Sequence, residues 1–342
     1  MRYIGSKMNL LKNIEELLNE YSNGEEKTFF DIFAGSNVVS EYFKKDYQII
    51  SNDILYFSYI MAKTNIENNH IPTFKNLRNI GIADPIAYLN QFDFSKCDIG
   101  YYEENYTPSG AAKRMYFTTE NGKKIDGIRT LIEKWLSEGL ISHLEHNYLL
   151  TSLIQAIPYI SNITGTYGAY LKNWDKRALK PLTLNKVDII DNNKSNLSFN
   201  ENANDLVKRI KSDIAYIDPP YNKRQYAPNY HVLENIASNK KPDLFGVTGL
   251  MDYSKLKSTY SMQKKAKESL EELISNINSK HIILSYNNEG IIGEEDLIEI
   301  MQNYAFNKKV EIKRIPYRKY KSKVPSKNEN LYEILIYIRK FK

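Results

Sequence analysis

The chain has 342 residues, is 42% hydrophobic, and carries a formal net charge of +6 with a single cysteine, Cys97. That length allows one large domain or a core domain with an inserted lobe, and the apolar content is enough for a sizeable core. One cysteine excludes an internal disulfide and a cysteine-based zinc site, and no apolar run approaches membrane-spanning length.

The opening residues, Met1-Arg2-Tyr3-Ile4-Gly5-Ser6-Lys7, lack the apolar core of a signal peptide, so a soluble, cytoplasmic protein with no membrane partner is expected. Leu10, Leu11, Ile14, Leu17 and Leu18 recur at helical spacing and predict a helix to about Tyr21. Residues 28–33 are strand-like, Ala34-Gly35-Ser36-Asn37 breaks the strand, and Val38, Val39, Tyr42 and Phe43 begin a helix. Residues 47–53 read as a second strand ending on Asp53, followed by a helical stretch to about Asn68. Strand, glycine turn, helix, strand and acid together open a nucleotide-type βαβ unit. From 70 to 180 the chain is irregular and rich in Tyr and Asn, with helical stretches near 128–136 and 144–157. This predicts an inserted, largely helical lobe at 70–180 between catalytic-domain segments 1–69 and 181–342. Residues 191–204 read as polar loop. Strands follow at 213–217, 281–286, 309–315 and 332–339, with a helix over 262–279. The fold expected is α/β: a doubly wound, mostly parallel twisted sheet with the lobe inserted.

The sharpest motif is Asp218-Pro219-Pro220-Tyr221, directly after the apolar run Ile214-Ala215-Tyr216-Ile217. An acid, two prolines and an aromatic at a strand end form a rigid turn that presents a carboxylate, backbone carbonyls and a flat ring. Such a turn suits holding an exocyclic amine and its base; the plainer reading is a Pro-Pro turn closing a strand. Gly35 lets backbone approach a ligand closely, although Asn37 departs from GxGxxG, so a dinucleotide is poorly supported. Asp53 lies eighteen residues after Gly35, the spacing at which an acid accepts from ribose hydroxyls, or equally caps the next helix. Residues 222–231 look like a polar loop. Arg224, Gln225 and Asn229 can read base edges, Tyr226 and Tyr230 can stack, and His231 lies beside them. A basic stretch, Lys308 to Lys327, carries Arg318 and Lys319 among tyrosines and fits a nucleic-acid face or a solvated one. Glu311-Ile312-Lys313 and the pair His143 and His146 lack the partners that would make them metal sites.

Read in order, Arg2-Tyr3-Ile4-Gly5-Ser6-Lys7, Asp31-Ile32-Phe33-Ala34-Gly35, Asp53 and Asp218-Pro219-Pro220-Tyr221 resemble the D12-class DNA adenine-N6 methyltransferases, in the alpha-group order of motifs. Residues 165–172 and 284–290 also look like that family. The resemblance implies S-adenosylmethionine as cofactor and no metal. It places Tyr3 and Lys7 beside the cofactor, Asp31, Phe33 and Gly35 around its methionine part, and Asp53 on its ribose. Residues 201–205, with Asn202 as the candidate, match the region at the adenine ring, and Asp218 faces cofactor and base. Asp218, Pro219, Pro220 and Tyr221 would be catalytic, acting on an adenine flipped from double-stranded DNA, with the lobe reading neighbouring bases. A cognate restriction endonuclease is the implied partner. Two other classes stay open: a methyltransferase on another amine (cytosine N4, RNA or a protein amide), and a non-catalytic DNA-binding module.

Overall fold

The computed structural model describes Gly5, residues 7–316 and residues 331–341. In chain order the helices are α1 (Leu11–Tyr21), α2 (Val38–Phe43), α3 (Tyr56–Asn65), α4 (Lys75–Asn79), α5 (Pro85–Gln91), α6 (Tyr101–Tyr106), α7 (Thr119–Ser137), α8 (His143–Ala156), α9 (Ala203–Leu206), α10 (Ala227–Ser238), α11 (Ala266–Asn276) and α12 (Glu294–Tyr304). The strands are β1 (Thr28–Asp31), β2 (Gln48–Asn52), β3 (Leu197–Phe199), β4 (Lys211–Ile217), β5 (Asn278–Asn287), β6 (Val310–Pro316) and β7 (Tyr332–Arg339). The chain divides into two compact units: Met1–Ser6, Leu55–Asp191 and Ala227–Leu256 form one, and Lys7–Ile54, Asn192–Tyr226 and Lys257–Lys342 the other.

The second unit is built on one seven-stranded sheet in the order β3-β2-β1-β4-β5-β7-β6. Pairings from β3 through β5 are parallel, and β7 runs antiparallel between β5 and β6. Central parallel strands are covered on both faces, so their sequences are continuous apolar runs rather than alternations. β4 shows this: Ile214, Ala215, Tyr216 and Ile217 are all buried. On one face Phe29 stacks on Phe43 of α2 at 4.6 Å, and Tyr337 of β7 stacks on Tyr21 of α1 at 4.7 Å. On the other, Phe30, Ala215, Ile282 and Ile336 pack with Leu270 and Leu273 of α11 and Leu297 and Ile300 of α12. Helices therefore flank the sheet on both sides, as expected of an α/β doubly wound sheet of the S-adenosylmethionine-dependent methyltransferase kind. The 191–204 segment differs from the loop expected, because Leu197–Phe199 pairs with Ile50, Ser51 and Asn52 as an edge strand.

The first unit is helical; among its described residues the sole β feature is an isolated bridge between Phe245 and Leu250. Its core brings α3, α8 and α10 together: Phe57 lies 5.6 Å from Tyr230, and Thr151 Oγ1 donates to Ile60 O. The unit takes in residues 55–69, 181–191 and 227–256 beyond the 70–180 expected from composition, the first and last through this packing. Two of its helices are capped from far away in sequence. Glu234 of α10 accepts from Tyr56 N (3.0 Å) and Phe57 N (3.1 Å), which open α3. Asp126 of α7 accepts from Tyr102 N (3.0 Å) and Glu103 N (2.8 Å), which open α6. The loop expected over 222–231 ends early, since α10 begins at Ala227. Pro228 sits in its first turn, where a missing N–H costs nothing. Among the described residues no helix is long and apolar enough to cross a membrane.

Candidate active site

Parallel pairing sets Asp31 of β1 beside Ser51 of β2 and Tyr216 of β4, so the residues just after these strands converge at one sheet end. Ligands bind at this end in open α/β sheets. The turn after β1 is held tightly: Ile32 N donates to Tyr216 O (3.1 Å), Ala34 N to Asn52 O (2.9 Å), and Gly35 N to Asp53 Oδ2 (2.7 Å). Gly35 has φ +52°, the left-handed region that glycine enters without a Cβ clash. The glycine turn and Asp53, read separately in sequence, are thus one hydrogen-bonded element. Phe33 leans edge-on against Tyr260 at 5.1 Å.

The acids at this end are buried. Asp31 is 1% exposed; Oδ2 accepts from Ser40 Oγ (2.7 Å), whereas buried Oδ1 has no hydrogen-bond partner among the described residues. Burial pushes its carboxyl up to about 7, with the Ser40 hydrogen bond opposing and Asp218 and Asp53 adding to the rise. Asp218 follows β4 directly, and its Oδ1 lies 3.2 Å from Lys7 Nζ, an ion-pair distance without hydrogen-bond geometry. The side chain keeps 15% exposure although Oδ1 itself is buried, so its accessible part lies elsewhere on the group. Burial raises Asp218 to about 7, against the pull of Lys7. Lys7 is shared, with Nζ 3.0 Å from Glu333 Oε2 as well. Burial disfavours the Lys7 cation, but Asp218 and Glu333 outweigh it and hold its pKa well above the ordinary value. Lys7 also stands 5.1 Å from the centroid of the Tyr221 ring.

Tyr221 corrects one expectation. Its ring is only 9% exposed, packed 5.5 Å from Tyr286 and covered by Lys7, rather than presented as an open face. Its carbonyl accepts from Ile291 N (2.9 Å), which ties the turn to the segment after β5. Pro219 is buried and Pro220 half-buried within the same turn. Asn202 is the N-cap of α9, its Oδ1 accepting from Asn204 N (2.9 Å), and it is exposed beyond the end of β3.

The DNA-contact candidates separate into groups. Arg224 is exposed, and Tyr226 and Asn229 are half-buried. Gln225 uses its whole amide on backbone, donating to Ser258 O (3.0 Å) and accepting from Ser258 N (2.7 Å). Tyr230 and His231 belong to the core of α10 at 1% and 0% exposure. His231 Nε2 lies 2.9 Å from Tyr167 O, and burial pushes its pKa down to about 4, so it carries no charge for a phosphate at neutral pH. The Gln225 amide is thus committed to backbone, and Tyr230 and His231 are buried because α10 starts four residues before His231. Arg318, Lys319 and Tyr3 lie outside the described residues. In the described part of the C-terminal basic stretch, Lys309 pairs with Glu311 (3.0 Å), Lys313 with Glu16 (3.3 Å) and Arg314 with Glu294 (2.5 Å). These cations are answered by acids from within the unit. Among the described residues no group of His, Cys, Asp and Glu is placed to hold a metal.

Three residues of the site were invisible in sequence. Glu333 arrives on antiparallel β7, opposite Asn287, with no motif around it. Asn52 joins the β1 turn to residue 201 by donating to Ile32 O (3.1 Å) and Glu201 O (3.2 Å), and accepting from Glu201 N (3.1 Å). Ser40 is a helix residue whose role follows only from its contact with Asp31.

Comparison with known proteins agrees with this geometry. The model of the D12 class N6 adenine-specific DNA methyltransferase family matches residues 3–306. The modification methylase StsI of Streptococcus sanguinis is 53% identical over 99% of this chain and 52% of its own length. The type II methyltransferase M.FokI of Planomicrobium okeanokoites is 47% identical over 99% of this chain and 53% of its own. The type II methyltransferase M.NlaIII of Neisseria lactamica is 34% identical over 96% of this chain and 94% of its own length. The chain thus spans about half the length of the first two and nearly all of the third. With the family model covering most of its residues and the strand-end acids in place, the chain belongs to the D12 class N6 adenine-specific DNA methyltransferase family.

Proposed function

We propose that this chain transfers a methyl group from S-adenosylmethionine to the N6 amine of adenine in double-stranded DNA. The observation that carries the reading is the Asp218 carboxylate. It is rigidly mounted at the end of β4, charge-paired with Lys7, and partly accessible in an otherwise closed site. The cluster also suits a cationic cofactor. Asp31, Asp53, Asp218 and Glu333 outnumber Lys7, and Asp31 Oδ1 is buried without a hydrogen-bond partner among the described residues. Such an oxygen is costly unless a donor completes it. When bound, S-adenosylmethionine supplies an electrophilic methyl group on a sulfonium.

The protein's own part is positioning. Asp31 would take the ammonium of the methionine end, and Asp53 the ribose hydroxyls, since a carboxylate has acceptor sites beyond the one used by Gly35 N. Asn202 lies at the region for the adenine ring. Adenine N6 is a poor nucleophile because its lone pair is delocalised into the ring. Hydrogen bonds from its two N–H groups to the Asp218 carboxylate and the Pro219 carbonyl would favour a more tetrahedral nitrogen with the pair aimed outward. Lys7 favours the ionised form of Asp218 against burial, and Tyr221 walls the turn. A stacked base cannot reach such a turn, so the adenine must be flipped out of the duplex. The helical unit and the exposed Arg224, with Arg318 and Lys319, would hold the surrounding DNA. The relatives' names, a modification methylase and a type II methyltransferase, support a modification role beside a restriction endonuclease. Duplex DNA incubated with labelled cofactor and digested to nucleosides should yield N6-methyladenine. N4-methylcytosine, or DNA without label, would overturn the reading.

A further inference from the structure

After α10 the helical unit forms a short hairpin that the methyl-transfer chemistry does not use. Phe245 N donates to Leu250 O (2.7 Å) and Leu250 N to Phe245 O (2.9 Å). Gly246 and Gly249, both at φ +68°, turn the chain between them. The tip carries Phe245 at 63% and Val247 at 79% exposure, two large apolar side chains held out into solvent. Their support is unusually stiff. Arg114, 6% exposed, donates from Nε to Val247 O (3.0 Å), from Nη2 to Gly246 O (3.0 Å), and from Nη1 to Asn105 O (2.9 Å). Tyr116 Oη lies 2.8 Å from Thr248 O. Gly249 passes so close to Arg114 that a Cβ there would meet its guanidinium at 2.8 Å. A buried arginine thus clamps two carbonyls of the turn to the backbone at Asn105 and fixes its exposed tip. Exposed lysines accompany it, Lys113 beside the clamp, Lys240 and Lys241 before the hairpin and Lys255 and Lys257 after it, and outnumber the exposed Asp243 and Asp252 that flank it.

We propose that Phe245 and Val247 form an apolar wedge that contacts the bases of duplex DNA, with Arg114 as its positioning residue. The proposal rests on the DNA-methyltransferase reading above. Rigid apolar side chains flanked by cations are what a protein uses to enter a base stack while phosphates are held nearby. A flipped adenine leaves such a stack already interrupted.

The test uses the full chain with the double variant Phe245→Ser/Val247→Ser, both positions being exposed. The expected result is a rise of about tenfold in the KM for DNA, the lower range for losing one stacked base. Cofactor affinity and melting temperature should stay unchanged. The slope of log affinity against log salt should also stay unchanged, because no phosphate contact is lost, whereas Lys240→Ala/Lys241→Ala should lower it. Arg114→Ala should raise the same KM; a purely structural arginine would lower the melting temperature and leave KM alone. Wild-type DNA affinity and KM in the double variant would overturn the wedge. So would an effect confined to oligomeric state in sedimentation. If the wild-type chain neither binds nor methylates DNA, the underlying reading fails first, and the wedge falls with it.

Discussion

In the helical unit, Asp126 and Glu234 commit both carboxylate oxygens to the backbone N–H groups opening α6 and α3. In the sheet unit, Asp31 and Asp218 each keep a buried oxygen without a hydrogen-bond partner among the described residues. Asp31, Asp126 and Glu234 are buried and Asp218 is largely so, so the difference is in what completes them. The first pair satisfies otherwise orphaned helix donors and complements the helix dipole, and so contributes stability. In the second pair Asp31 Oδ1 is held against the ordinary rule that buried polar atoms are bonded, and Asp218 Oδ1 faces only the Lys7 cation, at the strand ends where a ligand would bind. An acid's burial therefore says little about its role, whereas the state of its second oxygen says a great deal.

The sharpest way to break this comparison is to remove Asp218. Asp218→Ala should lower methylation by about a hundredfold or more, the range for deleting one preorganised polar group at the reacting centre. Cofactor binding and the cooperative unfolding transition should survive; substantial turnover in this variant would refute the mechanism. Asp53→Ala should weaken cofactor binding by about 1.5–3 kcal/mol through loss of a charged hydrogen-bonding group. Calorimetry showing unchanged cofactor affinity would remove Asp53 from the ribose site.

Glu234→Ala should act in the opposite sense, costing about 2–3 kcal/mol in denaturant unfolding by orphaning two helix N–H groups. Its turnover number should stay near wild type. A Glu234→Ala protein as stable as wild type would show that water replaces the cap.

The two kinds of acid also differ in pH dependence. Asp218 and Asp31 titrate near 7 in the fold, above their ordinary value, because burial disfavours the ionised forms. Between about pH 4 and pH 7 the folded protein therefore holds more protons than the unfolded chain. The sign follows: ligand-free stability falls as pH rises through that window and levels off above it. Asp31→Asn should flatten the slope, and equal slopes in variant and wild type would contradict it. At the small end, Asn202→Ala should cost only about 0.5–1 kcal/mol as a lost N-cap. A much larger loss of cofactor affinity would give Asn202 a direct part in the site.

Legibility in the sequence followed the same division. The sheet unit was readable because its strands are local apolar runs followed by chemistry-bearing turns, so Gly35, Asp53 and Asp218 marked the site and its end of the sheet. Glu333 and Asn52 were not readable. Their roles depend on antiparallel β7 and on a side chain reaching residue 201, neither of which leaves a local pattern. In the helical unit, α7 runs from Thr119 although Gly122 and Gly127 interrupt its apolar pattern. Both glycines are used for close packing, with a Cβ at Gly127 meeting Phe94 at 2.1 Å. The polar surface composition of 222–231 suggested a loop, and the helix there is set by tertiary burial of Tyr230, Val232 and Leu233. The caps from Asp126 and Glu234 span 24 and 178 residues of sequence, beyond the reach of any capping motif.

The most direct test of the central claim is proton release on cofactor binding, measured by titration calorimetry near pH 7 in two buffers of different ionisation enthalpy. If Asp31 is the counter-charge awaiting a cationic ligand, binding ionises it. The account then predicts net proton release by the wild type and less by Asp31→Asn. Binding of S-adenosylmethionine with no proton release, or with uptake, would show that the Asp31 carboxylate is not what the cofactor completes.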